Sequence, residues 1–520
     1  MTMSQTQYAE LRPPRLTGLW GLSLAATALL VVAAIVLAGI VTVGMVVGLG
    51  VWTLIAGAVW VLLALGGILP EAIKTRDGQG HYTKWFAKRA FRRGEKTGET
   101  VLSQGLTGTV PSMKFTPPGV AATTTLSEHY DIHGNPFGLI TWGDTNLYSV
   151  VINTHPAGPS GKDSDVFDAE VAQWAAWKGQ LNTIGNVVAA QVVIESSPDS
   201  GQRLARAVDR GRAEDPDRPG EVDPSRVPEF SRLMAEQIKA SGSTGAPRVT
   251  TRVTVTFSGE ETDEDTGEVH TRTAAEMQAL IADVLPGLVS TLVATGAGSS
   301  CRAARAEHII DFTRVAYDPS VAALVEEAQL NGGTGLTWDE AGPTTAVNRF
   351  DHYQHEMAWS RTWQMRQPPK GTFFATVLKR LLEPHRDIAR KRVALCYRTE
   401  SPLKSAQIAE NDVTAARVAL SQSPQAKAAQ EQRLIAAKRT AEQEALGAPL
   451  IRVGMLITAT VTEREQLDRV SRLIQTQLAP QARLRLRLAS GAQDSAFVAA
   501  LPLGMVPAKH AGLSGLAEQV

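Results

Sequence analysis

Residues 249–257 read V-T-T-R-V-T-V-T-F, and this stretch decides the class of fold. Val249, Thr251, Val253, Val255 and Phe257 fall on one face, and Thr250, Arg252, Thr254 and Thr256 on the other. A strict period of two is the pattern of a strand with one face on a core and the other half-exposed to water. The segments upstream repeat the signal. His129–His133 is a short extended run closed by Gly134, Asn135 and Pro136; Phe137–Trp142 and Leu147–Thr154 are strands joined through Gly143-Asp144-Thr145-Asn146. Turn residues at these spacings make a β-meander, with Asp131 and Asp144 able to cap the local turns.

Helices interrupt the strands. Phe167, Val171, Trp174 and Leu181 recur at helical spacing across 164–181, and 187–195 is apolar enough for a further strand. Residues 229–240 and 274–295 read as helices, the second with Pro286 inside it and expected to kink there. The first half of the chain thus runs β-β-β-α-β-α-β-α. That order predicts cytoplasmic α+β architecture with mixed or antiparallel sheets, packed helices and ferredoxin-like subdomains.

The second half echoes it. A helix over 306–317 stops at Asp318-Pro319, and 349–365 is a long strand or hairpin. A helix is expected over 372–382 and strands over 391–398, 450–461 and 483–488. Residues 402–447 are rich in Ala, Glu, Gln, Lys and Arg, and form a helical hairpin broken near 421–424. Leu467, Val470 and Ile474 face inward on a helix over 463–478.

The N-terminal part differs in kind. From Leu16 to Pro70 there is no Asp, Glu, Lys, Arg or His. One membrane span needs about 20 apolar residues. This run is long enough for two, at about 18–42 and 47–69, reversing near Gly44, Gly48 and Gly50. Arg12 and Arg15 precede it and Lys74 and Arg76 follow it, so the expectation is a multi-pass protein of the inner cell membrane with both termini in the cytoplasm. Immediately afterwards Lys84, Trp85, Phe86, Lys88, Arg89, Phe91, Arg92 and Arg93 interleave aromatic and basic side chains. That composition suits a helix lying among anionic lipid headgroups. The alternative is an ordinary amphipathic helix packed on the soluble body. The expected organisation is a membrane hairpin over 1–75, a basic segment and linker over 76–125, and two α+β subdomains over 126–300 and 301–510. The helical insertion over 402–447 belongs to the second.

Charge is balanced, at 52 basic and 52 acidic residues, which gives no general case for nucleic-acid binding. Two cysteines, Cys301 and Cys396, build no disulfide framework. Gly158-Pro159-Ser160-Gly161-Lys162-Asp163 lacks the spacing and the hydroxyl of a phosphate-binding P-loop and reads as a loop. His352 and His355 are three apart, on opposite faces of a strand and without a cysteine nearby; they read as surface residues rather than metal ligands. No acid, base and nucleophile assemble, and neither an enzyme activity nor a cofactor is expected.

Several motifs in order carry a resemblance: E-H-Y-D-I-H-G-N-P-F-G-L-I-T-W (128–142), R-V-A-Y-D-P-S (314–320), W-S-R-T-W-Q-M (359–365), L-L-E-P (381–384), K-R-V-A-L-C-Y-R (391–398) and F-V-A-A-L-P-L-G (497–504). With the apolar N-terminal run, the chain resembles membrane proteins encoded with actinobacterial conjugation and type IV secretion genes. The soluble part looks like the non-catalytic N-terminal domain of the conjugation ATPase, and the apolar part like a two-helix inner-membrane subunit. The resemblance implies a scaffold that docks a separate ATPase and channel membrane subunits, with self-association through the small residues of the apolar helices. A nucleotide-binding domain is not part of this sequence, so ATPase activity does not carry over. Two other readings stand beside it: a membrane core subunit of type VII secretion, and a membrane-bound enzyme with an unrecognised site.

Overall fold

The structure is a computed structural model. It describes residues 7–8, 24–48, 50–72, 80–111, 114–158, 162–184, 186–199, 201–213, 228–242, 247–262, 269–369, 373–400, 402–421, 427–445 and 450–510. The expected charged flanks at Arg12, Arg15, Lys74 and Arg76, and Pro159–Gly161 of the glycine-rich loop, lie outside these residues.

A two-residue strand β1 (Gln7–Tyr8) precedes the helices α1 (Leu24–Val47), α2 (Gly50–Ala72) and α3 (His81–Thr97). The chain then adds β2 (Val101–Ser103) and enters a first half: β3 (Thr124–Tyr130), β4 (Pro136–Trp142), β5 (Leu147–Thr154), α4 (Ser164–Thr183), β6 (Val187–Pro198), α5 (Gln202–Ala213), α6 (Glu229–Gly242) and β7 (Pro247–Ser258). A small hairpin, β8 (Glu260–Thr262) and β9 (Val269–Thr271), leads to α7 (Ala274–Leu292), β10 (Arg302–Ala303), α8 (Ala306–Tyr317) and α9 (Ala322–Leu330). The second half holds β11 (Thr345–Asn348), β12 (Tyr353–His355), β13 (Ala358–Gln367), β14 (Phe373–Phe374), α10 (Lys379–Leu382), β15 (Arg390–Thr399), α11 (Pro402–Ser421) and α12 (Lys427–Ala445). It closes with β16 (Ile451–Val461), α13 (Arg464–Leu473), α14 (Ala479–Gln481), β17 (Arg485–Leu488) and α15 (Gln493–Ala499). The helix expected over 372–382 is realised only at its end. Phe373–Phe374 pairs with β1 instead, and the next turn is a 3-10 turn.

The fold is α+β around one large antiparallel sheet, in the order β2-β11-β12-β13-β16-β15-β6-β7-β5-β4-β3. The order repeats about its middle. The first half contributes β3-β4-β5-β7-β6 and the second β11-β12-β13-β16-β15, and the two meet where β6 pairs with β15 from Lys391↔Ser196 to Arg398↔Ala189. Each half inserts a helical pair between its last two strands, α5–α6 in one and α11–α12 in the other. Each then runs through a helix into a short strand that pairs with its third: β10 on β5, and β17 on β13.

Helices cover both faces. On one, Val253, Val255 and Phe257 pack with Met277, Ile281, Leu285, Leu288 and Leu292 of α7. That helix starts at a capping box in which Thr273 and Glu276 satisfy each other's backbone N–H. Across the seam, Val393 and Ile457 pack with Leu467, Val470 and Ile474 in a second cluster. The other face is covered by α8, α15 and the segment that follows it. The polar side of 249–257 is therefore not half-exposed as expected: Thr254 and Thr256 are buried. Their hydroxyls donate to the carbonyls of Pro502 (3.1 Å) and Gly504 (2.9 Å), so a distant strap supplies the partners that water would have given.

The expectation of a multi-pass membrane protein is corrected. Among the described residues two helical stretches are long and apolar enough to cross a membrane, Leu29–Val47 and Ala274–Ala297. The second contains α7, whose apolar stripe is sealed in the core, because a buried core helix passes the same test of length and hydropathy as a span. One candidate near the N-terminus remains. The second expected span falls in α2, several of whose side chains lie outside the described residues. What is described there is close packing of α1 on α2. Trp60 Nε1 donates to the Ala33 carbonyl at 3.0 Å, and a Cβ on Gly44 would overlap Thr53.

Candidate functional site

The eight aromatic and basic residues singled out from the sequence all lie on α3, which carries six basic residues and one acidic one. The helix ends at Gly98 in the left-handed conformation (φ 81°), where its N–H bonds back to Gly94. A 100° step per residue spreads the eight over two adjoining faces, with Arg92 and Trp85 about 20° apart at the boundary. Lys88, Phe91 and Arg92 turn toward the body together with Glu95. Trp85 and Phe86 turn outward, 52% and 62% exposed, in edge-to-face contact at 5.0 Å. Arg89 and Arg93 are exposed, and the Arg89 guanidinium lies 5.3 Å from the Trp85 ring centroid. Lys84 is half-buried.

The body-facing side of α3 closes a groove of about 650 Å³ against the turn between β11 and β12. Phe91 meets Phe350 edge-to-face at 5.5 Å, and Arg349 pairs with Glu95 at 3.2 Å. Asp351 accepts from His352 Nδ1 (2.8 Å) and from Arg361 (2.6 Å), and Arg361 also reaches Asp468 (2.9 Å). The hydrogen bond from His352 leads the effects that hold the Asp351 carboxyl down at about 2. Trp359 and Arg464 complete the wall.

A second polar centre is wholly internal, on the strap side of the sheet. Glu195 of β6 accepts from Arg390 (2.8 Å) and Arg392 (3.2 Å) of β15, so the ion pairs span the seam between the halves. Burial pushes the Glu195 carboxyl up, but the guanidiniums of Arg392, Arg390 and Arg252 outweigh it and hold it down at about 2. Arg392 packs over the Phe497 ring, and Arg252 over Phe312.

Beside it lies a chain of hydroxyls. His355 Nδ1 is 2.5 Å from the Tyr317 carbonyl and Nε2 is 2.7 Å from Ser360 Oγ, itself 2.7 Å from Thr460 Oγ1. A carbonyl only accepts, so Nδ1 donates to it; in the neutral ring Nε2 then accepts the Ser360 hydroxyl. His352 and His355 are both buried, against the expectation of surface residues. Tyr317 and Phe497 roof His355, while His352 is bonded to Asp351 in the wall of the groove under α3. Ser360 is fully buried too, so neither side chain of this serine–histidine pair reaches the surface.

Burial brings the His355 pKa down from 6.5 to about 4. The unfolded chain binds the proton first as pH falls, so stability is intact above 6.5 and is lost between 6.5 and 4. The shift corresponds to about 3 kcal/mol. Equilibrium denaturation at stepped pH is expected to show this loss, and His355→Gln to flatten that window. An unchanged slope in the variant would assign the acid sensitivity elsewhere.

A second hollow, of about 1220 Å³, opens between the β3–β4 turn and α7 and includes His133, His155, His308 and Cys301. Asp131 caps its turn as expected, its carboxylate accepting from the N–H groups of His133 (2.9 Å) and Asn135 (2.8 Å). Burial raises the Cys301 thiol, and raises Cys396 to about 12. Neither is poised as a thiolate nucleophile. Among the described residues no group of three His, Cys, Asp or Glu is placed to hold a metal. The chain matches no protein-family model and no curated protein.

Sequence reasoning missed the Glu195–Arg390–Arg392 centre. Its only signal is the presence of charged residues inside strands that are otherwise apolar. The motifs 314–320, 359–365, 391–398 and 497–504 all send residues to this layer: Tyr317, Ser360, Arg392 and Phe497.

Proposed function

We propose that this protein is a scaffold subunit of a conjugative, type IV-like secretion apparatus, attached to the cell membrane through its N-terminal apolar helix and docking a separate secretion ATPase on its α+β body. The observation that carries the reading is the outward display of apolar side chains on α1. Ile35, Met45 and Val46 are 66%, 78% and 87% exposed, and an apolar surface of this kind is stable only when lipid or protein covers it. The basic helix α3 follows directly, as expected of a segment at a lipid surface.

Each half of the body reads as a ferredoxin-like unit: the strand orders β10-β5-β7-β6 and β17-β13-β16-β15 follow the 4-1-3-2 pattern of a split β-α-β arrangement. Two such units in one sheet make a broad, rigid platform. The helical pair α11–α12, charged and set between β15 and β16, is the surface we assign to the ATPase.

The test is affinity purification of the tagged full-length chain from membranes dissolved in mild detergent, followed by mass spectrometry. A secretion ATPase and channel subunits are expected to co-purify. Recovery of the chain in the soluble extract, or co-purification of small secreted helical-hairpin proteins in place of an ATPase, would reject the reading.

A further inference from the structure

The groove under α3 holds more cationic charge than its own acids neutralise. Glu95 is paired with Arg349, and Asp351 with His352 and Arg361. Lys88, Arg92 and Arg464 line the same groove, are exposed, and form no ion pair among the described residues. Phe91, Phe350 and Trp359 stand beside them and give the groove an apolar wall. We propose that this groove binds the phosphate headgroup of an anionic phospholipid, with Lys88, Arg92 and Arg464 around the phosphate and the three aromatic rings against the glycerol and first acyl carbons.

Three features select a lipid over another anion. A guanidinium pairs with phosphate oxygens through two parallel N–H donors, and a second guanidinium and an ammonium converge on the same space. The volume of about 650 Å³ suits a headgroup with part of its glycerol and is far too small for a folded partner. Position also matters. The helix that carries Lys88 and Arg92 abuts α2 at the apolar N-terminal end and exposes Trp85 and Phe86 on the face adjoining Arg92. Those rings belong at the level of lipid headgroups, which places the groove mouth at the same depth. A soluble phosphate ligand would need the cations and would gain nothing from the rings.

The inference rests on the membrane attachment proposed above, and its test is separable from it. The full-length chain, purified in a nonionic detergent, is titrated with short-chain phosphatidylglycerol and, in parallel, with the matching phosphatidylcholine. The anionic lipid is expected to bind at least about tenfold tighter. Replacing Lys88, Arg92 and Arg464 together by Gln should weaken it roughly a hundredfold, and Arg92→Gln alone about fivefold. Arg89→Gln with Arg93→Gln removes two charges from the outward face of the same helix and should change binding less than about twofold. Thermal melts of each variant confirm folding, and the single exposed change at Arg92 keeps the test open if the triple variant fails to fold.

Equal binding of the two lipids overturns the proposal, as does an equal loss from the outward-face pair, which would mean diffuse surface charge. Displacement of the lipid by glycerol phosphate at comparable concentration also overturns it and assigns the groove to a soluble phosphate compound. If the chain fractionates with membranes yet shows no lipid preference, the groove assignment fails alone. If it does not fractionate with membranes at all, the proposed function fails first.

Discussion

Glu195→Ala is expected to cost about 3–5 kcal/mol of stability, measured by urea denaturation of the detergent-solubilised chain. The reason is an imbalance of buried charge. Glu195 is the acid that accepts from both Arg390 and Arg392, and Arg392 is 2% exposed, with Nε and Nη1 lacking an acceptor among the described residues. Removing the carboxylate leaves a desolvated guanidinium beside two others. An intact buried pair adds little net stability, but a broken one leaves a charge that neither water nor protein compensates. The double change Glu195→Met with Arg392→Met removes that charge at its most buried point and is expected to recover a large part of the loss. A single variant within about 1 kcal/mol of wild type would mean that water already reaches these guanidiniums.

The location makes the effect structural in a second sense. Glu195 belongs to the first half and both arginines to the second, so their pairing clamps the β6–β15 seam. Glu195→Ala is therefore expected to raise proteolytic cleavage within one half before the other unfolds.

Much of this architecture was legible, and the failures have a common cause. The alternation in 249–257, the turn residues between β4 and β5, the helix over 274–295 and the helical pair within 402–447 are local signals, and each appears where it was read. What local pattern cannot say is what lies on the second face of a strand. Thr254 and Thr256 look solvent-facing because their partners, the carbonyls of Pro502 and Gly504, are 248 residues away. His355 looks exposed for the same reason, its roof coming from α8 and α15. The multi-pass expectation failed differently. Among the described residues one N-terminal candidate span remains, and the other helix long and apolar enough, α7, is covered by the sheet, as the reading of 274–295 as an ordinary helix allowed. At the candidate groove the sequence identified Lys88, Phe91 and Arg92. Arg349, Phe350 and Arg464 lie on other elements more than 250 residues away, and only the tertiary fold brings them there.

The strap at the end of the described chain should be as sensitive as the seam. Gly504→Ala is expected to cost about 4 kcal/mol. Gly504 has φ +77°, and a Cβ there would overlap the hydroxyls of Ser149 and Thr256. The left-handed conformation costs an L-residue roughly 1–2 kcal/mol, and an extra methyl in a close-packed site about 1–3. The collision also threatens paired groups. Ser149 and Thr256 are 3.1 Å apart and Thr256 donates to the Gly504 carbonyl, so displacing the strap leaves buried hydroxyls without partners. Trp142, fully buried, would lose its own acceptor, the Leu503 carbonyl at 3.3 Å. Ser149→Ala in the Gly504→Ala background relieves one collision and should return part of the loss, whereas Ser149→Ala alone should cost about 1 kcal/mol. If Gly504→Ala leaves the denaturation midpoint unchanged, the strap is not seated on β5 and β7 as described, and the polar face of the sheet must find its partners in water.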